Sequence, residues 1–148
     1  MKPVNLGLAL FASLAVLLAS PAYAVDPLFT VTSIADTDDG TCDAQCTLRE
    51  AITAANEVLS STIQFDAGVF TARQVINLAS ALPSITASVT ISGPSAGVTI
   101  RRNSVGKYRI FTIPNAGLTV KMYDLTITNG DTNSDGGGIY SKSDLELF

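Results

Sequence analysis

The sequence predicts an all-β chain, a parallel β-helix of about three coils with an amphipathic capping helix at its N-terminal end. Three observations predict it. Apolar-polar-apolar triplets recur with a period of roughly 27 residues. One helix-start signal with a single apolar stripe precedes them. Clusters of turn-forming residues separate them.

Residues 1–24 read as an address. Lys2 gives a positive start, Leu6 to Ala19 is an uncharged apolar run, and Ala22-Tyr23-Ala24 is the small-x-small pattern of a signal-peptidase site. Cleavage is expected after Ala24. The alternative is an uncut membrane anchor, but the run is shorter than the roughly 20 residues that span a bilayer. The residue directly after the cut is Val25 and not a cysteine, which argues against a lipoprotein. The mature chain is expected outside the cytoplasm, secreted or at the cell surface. Residues 25–148 suffice for one small domain with a core.

The net charge is −4, and loss of Lys2 makes the mature chain slightly more acidic. Nucleic acid needs a basic footprint, so it is not expected as a partner. There is no His and no Trp. Ser-His-Asp and Cys-His catalysis are thereby excluded, as is any His-based metal site. An aromatic platform for sugars would have to use Tyr108, Tyr123 or Tyr140.

Residues 25–62 read as a cap made of a strand, an acidic loop, a disulfide and a helix. Cys42 and Cys46 are the only cysteines, and an isolated even pair in an exported chain reads as a disulfide. The alternative is a redox or metal pair. The three intervening residues do not fit the usual redox spacing, and two thiols alone make a poor zinc site. So short a loop stabilises by only about 2 kcal/mol. Thr47-Leu48-Arg49-Glu50 has the capping-box form, with Thr47 and Glu50 satisfying orphan amides reciprocally. Leu48, Ala51, Ile52, Ala55 and Leu59 follow at helical spacing, so a helix of about three turns ending at Ser60-Ser61 is expected. Capping and surface pairing account for Arg49 and Glu50 better than a catalytic pair does.

Residues 63–148 alternate instead. Ile63-Gln64-Phe65, Val89-Thr90-Ile91, Leu118-Thr119-Val120 and Leu145-Glu146-Leu147 form one series whose starts lie 26, 29 and 27 residues apart. Val98-Thr99-Ile100 and Leu125-Thr126-Ile127 form a second, and Phe111-Thr112-Ile113 and Ile139-Tyr140 a third. Three interleaved series of one period imply three strands per coil, with apolar residues inward and the middle residue outward. Ser92-Gly93-Pro94, Pro114-Asn115-Ala116-Gly117, Asn129-Gly130-Asp131 and Gly136-Gly137-Gly138 supply the turns. An antiparallel sandwich also has short strands, but has no reason to repeat at a fixed period.

Two constellations invite a ligand. Asp36, Asp38, Asp39 and Asp43 lie within eight residues and are a candidate Ca²⁺ site, against the plainer reading of an Asp-rich turn. Asp131 and Asp135, flanking Asn133, form a smaller candidate of the same kind. No other cofactor is expected. Arg101, Arg102, Lys107 and Arg109 cluster between strands and could meet an anionic glycan, against the reading of a solvated loop. In a lyase one arginine would act as base, with Asp124 near it if the coils stack suitably.

The segment CTLREAITAAN resembles the Cys-Ser-Leu-Arg-Glu-Ala-Ile domain that begins secreted bacterial β-helix proteins, with Thr47 in place of the Ser and the hydroxyl kept. FTVTSIADTDDGTCDAQ resembles the usual lead-in of that domain. LTITNGDTNSDGGGIY resembles the repeats of pectate-lyase-like and polymorphic outer-membrane β-helices. The resemblance covers nearly all of the mature chain. It implies a right-handed parallel β-helix at the cell surface or secreted, often part of an adhesin-like protein, and no defined reaction. The expected role is therefore the cap and first coils of a non-enzymatic surface β-helix, with a surface glycan or protein as candidate ligand. The alternative is the N-terminal part of a polysaccharide lyase or hydrolase whose groove lies on downstream coils. The chain ends inside an apparent strand at Asp144–Phe148. Truncation is thus expected, with downstream coils of a longer chain as partner and self-association in their absence.

Overall fold

The computed structural model describes residues 25–148, so the expected signal sequence lies outside the described residues. A short strand β1 (Leu28–Val31) leads through the acidic loop to helix α1 (Leu48–Ala55). Nine strands follow: β2 (Ser60–Phe65), β3 (Gln74–Leu78), β4 (Ser88–Ser92), β5 (Val98–Arg102), β6 (Phe111–Ile113), β7 (Thr119–Tyr123), β8 (Leu125–Thr128), β9 (Ile139–Ser141) and β10 (Asp144–Leu147). They assemble into three parallel sheets, in the orders β1-β2-β4-β7-β10, β3-β5-β8 and β6-β9. Every ladder between named strands joins one coil to the next. This is a β-solenoid of about three turns, the architecture that the repeat predicts.

The core is a set of aliphatic columns running through the stack. Ile63, Ile91 and Met122 form one column, Ile76, Ile100 and Ile127 a second, and Phe111 and Ile139 a third. Val98, Ile100, Phe111, Ile113 and Val120 are fully enclosed. The outward position between them is polar, as with Gln64 and Thr90. Each coil therefore buries its neighbour's apolar face, which no single coil can do alone.

The register of the first series differs from the expected one. Val89 lies opposite Ser61 and Val120, not opposite Ile63 and Leu118. A strand repeats its facing at every second residue, so this slip keeps every apolar side chain inward and leaves no trace in the pattern. The other two series pair as expected, Val98 with Leu125 and Phe111 with Ile139. Strand β3 is an addition. Gln74 takes the place opposite Val98 and the apolar Val75 faces outward, which masks the alternation ahead of inward Ile76 and Leu78.

Helix α1 is also shorter than expected, eight residues or about two turns. Leu48, Ala51, Ile52 and Ala55 are buried as predicted, but Leu59 is 96% exposed. The helix ends at the C-cap Asn56. Its side-chain amide donates to the Ser84 carbonyl, and its side-chain oxygen accepts from the Thr86 amide. Ser60 and Ser61 then open β2 instead of closing the helix.

The sharpest corner joins β7 to β8 through a single residue, Asp124, at φ 53°. Its carbonyl crowds the turn of the preceding coil. A Cβ on Gly93 would lie 2.5 Å from the Asp124 oxygen, so glycine is required there.

One position in the stack is unsatisfied. Ser61 is 3% exposed, and its hydroxyl has no hydrogen-bond partner. The equivalent residues of the next two coils are Val89 and Val120. Ser61→Ala is expected to raise the unfolding free energy by about 1 kcal/mol, because it removes an unpaired buried hydroxyl. Urea unfolding at constant m-value measures this, and a loss of stability would contradict it.

Candidate functional site

The densest polar cluster lies where the cap meets the first coil. Thr47 starts α1 with extended backbone and accepts from the Glu50 amide, and Glu50 reaches back to the Thr47 amide at 2.7 Å. The capping box is thus closed on both sides. Glu50 does more than cap. Its other oxygen accepts from the Asp39 amide at 2.9 Å, which fastens the acidic loop to the helix. The loop is fastened again by the Cys42–Cys46 disulfide, with Cα atoms 4.3 Å apart. Cys46 is buried, and its carbonyl accepts from the amides of Thr32 and Ser33 at the end of β1.

Arg49 is the second clamp. The sequence suggests pairing at the surface, and the structure corrects this: the Arg49 side chain is 10% exposed and its partner Asp36 is 7% exposed. Arg49 Nη2 sits 2.7 Å from Asp36 Oδ1. Arg49 also donates to the carbonyls of Ser80 and Ala81 in the first coil. The second Asp36 oxygen accepts from the Ala79 amide at 2.8 Å. One charge pair therefore joins the loop, the helix and the first coil, and it satisfies three backbone groups that lie beyond the end of β3.

Burial pushes the Glu50 carboxyl upward, but the Thr47 and Asp39 amides and the Thr47 hydroxyl outweigh it and hold its pKa below the usual 4.5. The sign of the pH effect follows from linkage. The folded chain binds the Glu50 proton less readily than the unfolded chain, so its stabilising contribution is complete above about pH 4.5 and is lost as pH falls through the lowered value. Glu50→Gln is therefore expected to unfold with a shallower acid dependence than the parent between about pH 5 and pH 3, as judged by the difference in urea midpoints. Identical slopes would contradict this.

The four acidic-loop carboxylates are not gathered at one point. Asp38, Asp39 and Asp43 each accept from the amide two residues on, those of Gly40, Thr41 and Gln45, at 3.0 Å. Asp36 is taken by Arg49. Each of the other three holds its own local turn. Among the described residues no three Asp, Glu, Cys or His side chains converge as a metal-ligand group. Asp131 and Asp135 have different neighbours. Asp131 lies 3.8 Å from Lys107, and the Asp135 carbonyl accepts from Arg109.

The basic cluster is brought to one region but is largely occupied. Arg102 donates to the carbonyls of Ser104, Gly106 and Asn129. Lys107 donates to Asn133, and Arg109 donates to Ser134 while stacking 4.8 Å from the centre of the Tyr140 ring. These contacts staple the 104–109 loop to the 129–135 loop of the next coil. Arg101 lies on the outward face of β5 and donates to Asn77. Asp124 lines a shallow polar depression with Arg73, Ser95 and Thr126, and none of the four basic residues enters it. The arrangement suits holding loops in place more than abstracting a proton. Asn56 and Asn77 are partners that sequence reasoning missed, since nothing local marks an asparagine that bonds across coils.

No protein-family description, curated protein or solved structure matches this chain. Among the described residues no helix is long and apolar enough to cross a membrane.

Proposed function

We propose that this chain forms the N-terminal cap and first coils of an exported β-helix, with a structural or adhesin-like role at or beyond the cell surface. The observation that carries this is the sealed end. Helix α1 covers the core of the first coil with Leu48, Ala51, Ile52 and Ala55, and the Arg49–Asp36 pair locks it there. A solenoid core needs such a cover at its terminus to stay soluble. The clamp also supports the likeness to the Cys-Ser-Leu-Arg-Glu-Ala-Ile domain, because it gives the Arg and the Glu of that motif separate mechanical tasks. The disulfide supports an oxidising compartment.

Expression of residues 1–148 in a bacterial host, followed by fractionation and mass determination, tests the reading. The expected product begins at Val25 and is found outside the cytoplasm. An intact Met1 product retained in the cytoplasm would overturn it. The outward-facing Arg101 and its neighbours are the region in which a surface glycan or protein ligand would be sought first.

A further inference from the structure

The outward face of the β3-β5-β8 sheet stacks its residues in columns across the coils. Val75, Thr99 and Thr126 form one column, and Asn77, Arg101 and Thr128 the next. Arg73, Gly97 and Asp124 stand immediately ahead of the paired residues Gln74, Val98 and Leu125, and so extend this face by one more column. Gly97 leaves a gap in the middle of it. The Arg73 guanidinium lies across that gap, since a Cβ on Gly97 would be 3.1 Å from Arg73 Nη2. Arg73 Nη1 reaches to 3.4 Å from the hydroxyl of Thr126, two residues along from Asp124. With Ser95 these residues line one open polar depression. Asp124 is held at its rim by the β7–β8 corner, where its amide donates to the Phe148 carbonyl. Both charges are exposed, and among the described residues neither Arg73 nor Asp124 forms an ion pair. The other arginines are spent on Asp36, on loop carbonyls or on Asn77.

We propose that this depression binds the zwitterion of a small α-amino acid, its carboxylate on Arg73 and its ammonium group on Asp124. The planar guanidinium fork matches a carboxylate, and both contacts are charge-assisted hydrogen bonds. Two coil steps of about 4.8 Å separate the backbones of Arg73 and Asp124. An α-amino acid carries both charges on one carbon, so it bridges the bare Gly97 step between them without a long chain. The hydroxyls of Ser95 and Thr126 line the same depression and offer the ammonium group further acceptors. A simple anion would satisfy Arg73 but face the like charge of Asp124, and a simple cation would meet the reverse. A sugar acid would satisfy Arg73 and offer Asp124 only hydroxyls. The inference uses only the stacking of β3, β5 and β8 and is independent of the cap reading.

The test titrates isotope-labelled residues 25–148 with L-alanine, and separately with acetate, methylammonium and glucuronate. Saturable amide shifts at Gly97, Asp124 and Thr126 are expected with alanine, half-complete in the millimolar range. Each of the other three probes should bind about tenfold more weakly, because one charged contact is lost. Arg73→Gln and Asp124→Asn should each weaken alanine binding by a similar factor while the remaining amide spectrum stays in place. Asparagine tolerates the positive φ of position 124, so the corner is kept. Arg101→Gln removes the same charge from the far end of the face and should leave alanine binding unchanged. No saturable shift with alanine, or equal weakening by Arg101→Gln, would overturn the proposal. Acetate binding as tightly as alanine would reduce the depression to an anion site, and tighter binding of glucuronate would make it a sugar-acid site; either result overturns the zwitterion reading.

Discussion

Arg49→Met is expected to lower the unfolding free energy of residues 25–148 by about 3–5 kcal/mol, since it leaves Asp36 charged and unpaired in a buried site. Several losses combine. Asp36 loses its counter-ion, and the Ser80 and Ala81 carbonyls lose a donor. The methionine fills most of the space, so a simple cavity does not account for the effect. The double variant Arg49→Met with Asp36→Asn separates charge from packing. It leaves no unpaired charge, and the side-chain oxygen at position 36 can still accept from Ala79, so part of the loss should be recovered. Urea unfolding of the three proteins at neutral pH gives the comparison. A single-variant loss under about 1 kcal/mol would place the pair among ordinary surface ion pairs and would remove the clamp from the cap reading. For a domain of this size, whose total stability is of order 5–15 kcal/mol, the expected loss is a large fraction.

Phe111→Ala is expected to cost about 3–5 kcal/mol, the range for removing a buried aromatic side chain. Phe111 is fully enclosed and sits on β6, a strand of three residues paired only to β9. So short a strand contributes few ladder bonds, and its position depends on its two enclosed side chains, of which Phe111 is the larger. The loss should therefore reach the neighbouring coil and loosen β9 with it. Hydrogen exchange would show faster exchange at Ile139–Ser141 than at β4, whose two neighbours hold it independently. The control is Val105→Ala. Val105 stands entirely in solvent, and its truncation should change stability by less than about 0.5 kcal/mol. Equal effects from the two substitutions would contradict the packing described above.

Much of the architecture is legible in the sequence. The capping box at Thr47 and Glu50 is a local signal, since both partners lie within one turn and their spacing alone satisfies two amides. The alternation in the second and third series is legible for a similar reason, because strand period is a property of the chain itself. The register of the first series is not. Ser61, Val89 and Val120 stack on one another, yet a shift of two positions leaves the apolar pattern unchanged, and only the lengths of the intervening turns decide between registers.

The polar site divides in the same way. Composition excludes histidine chemistry, and spacing favours a Cys42–Cys46 disulfide and a helix start at Thr47, both of which the structure contains. Tertiary structure decided what the charged residues do. Arg49 and Asp36 are 13 residues apart in sequence, and their carbonyl and amide partners lie 31 to 43 residues away. Three of the aspartates that look like a metal site in sequence hold their own turns, and the basic cluster is spent on loops one coil away. Periodicity and capping act within a few residues and are written locally. The destination of a charge depends on which coil stacks against it, and that is set only when the solenoid closes.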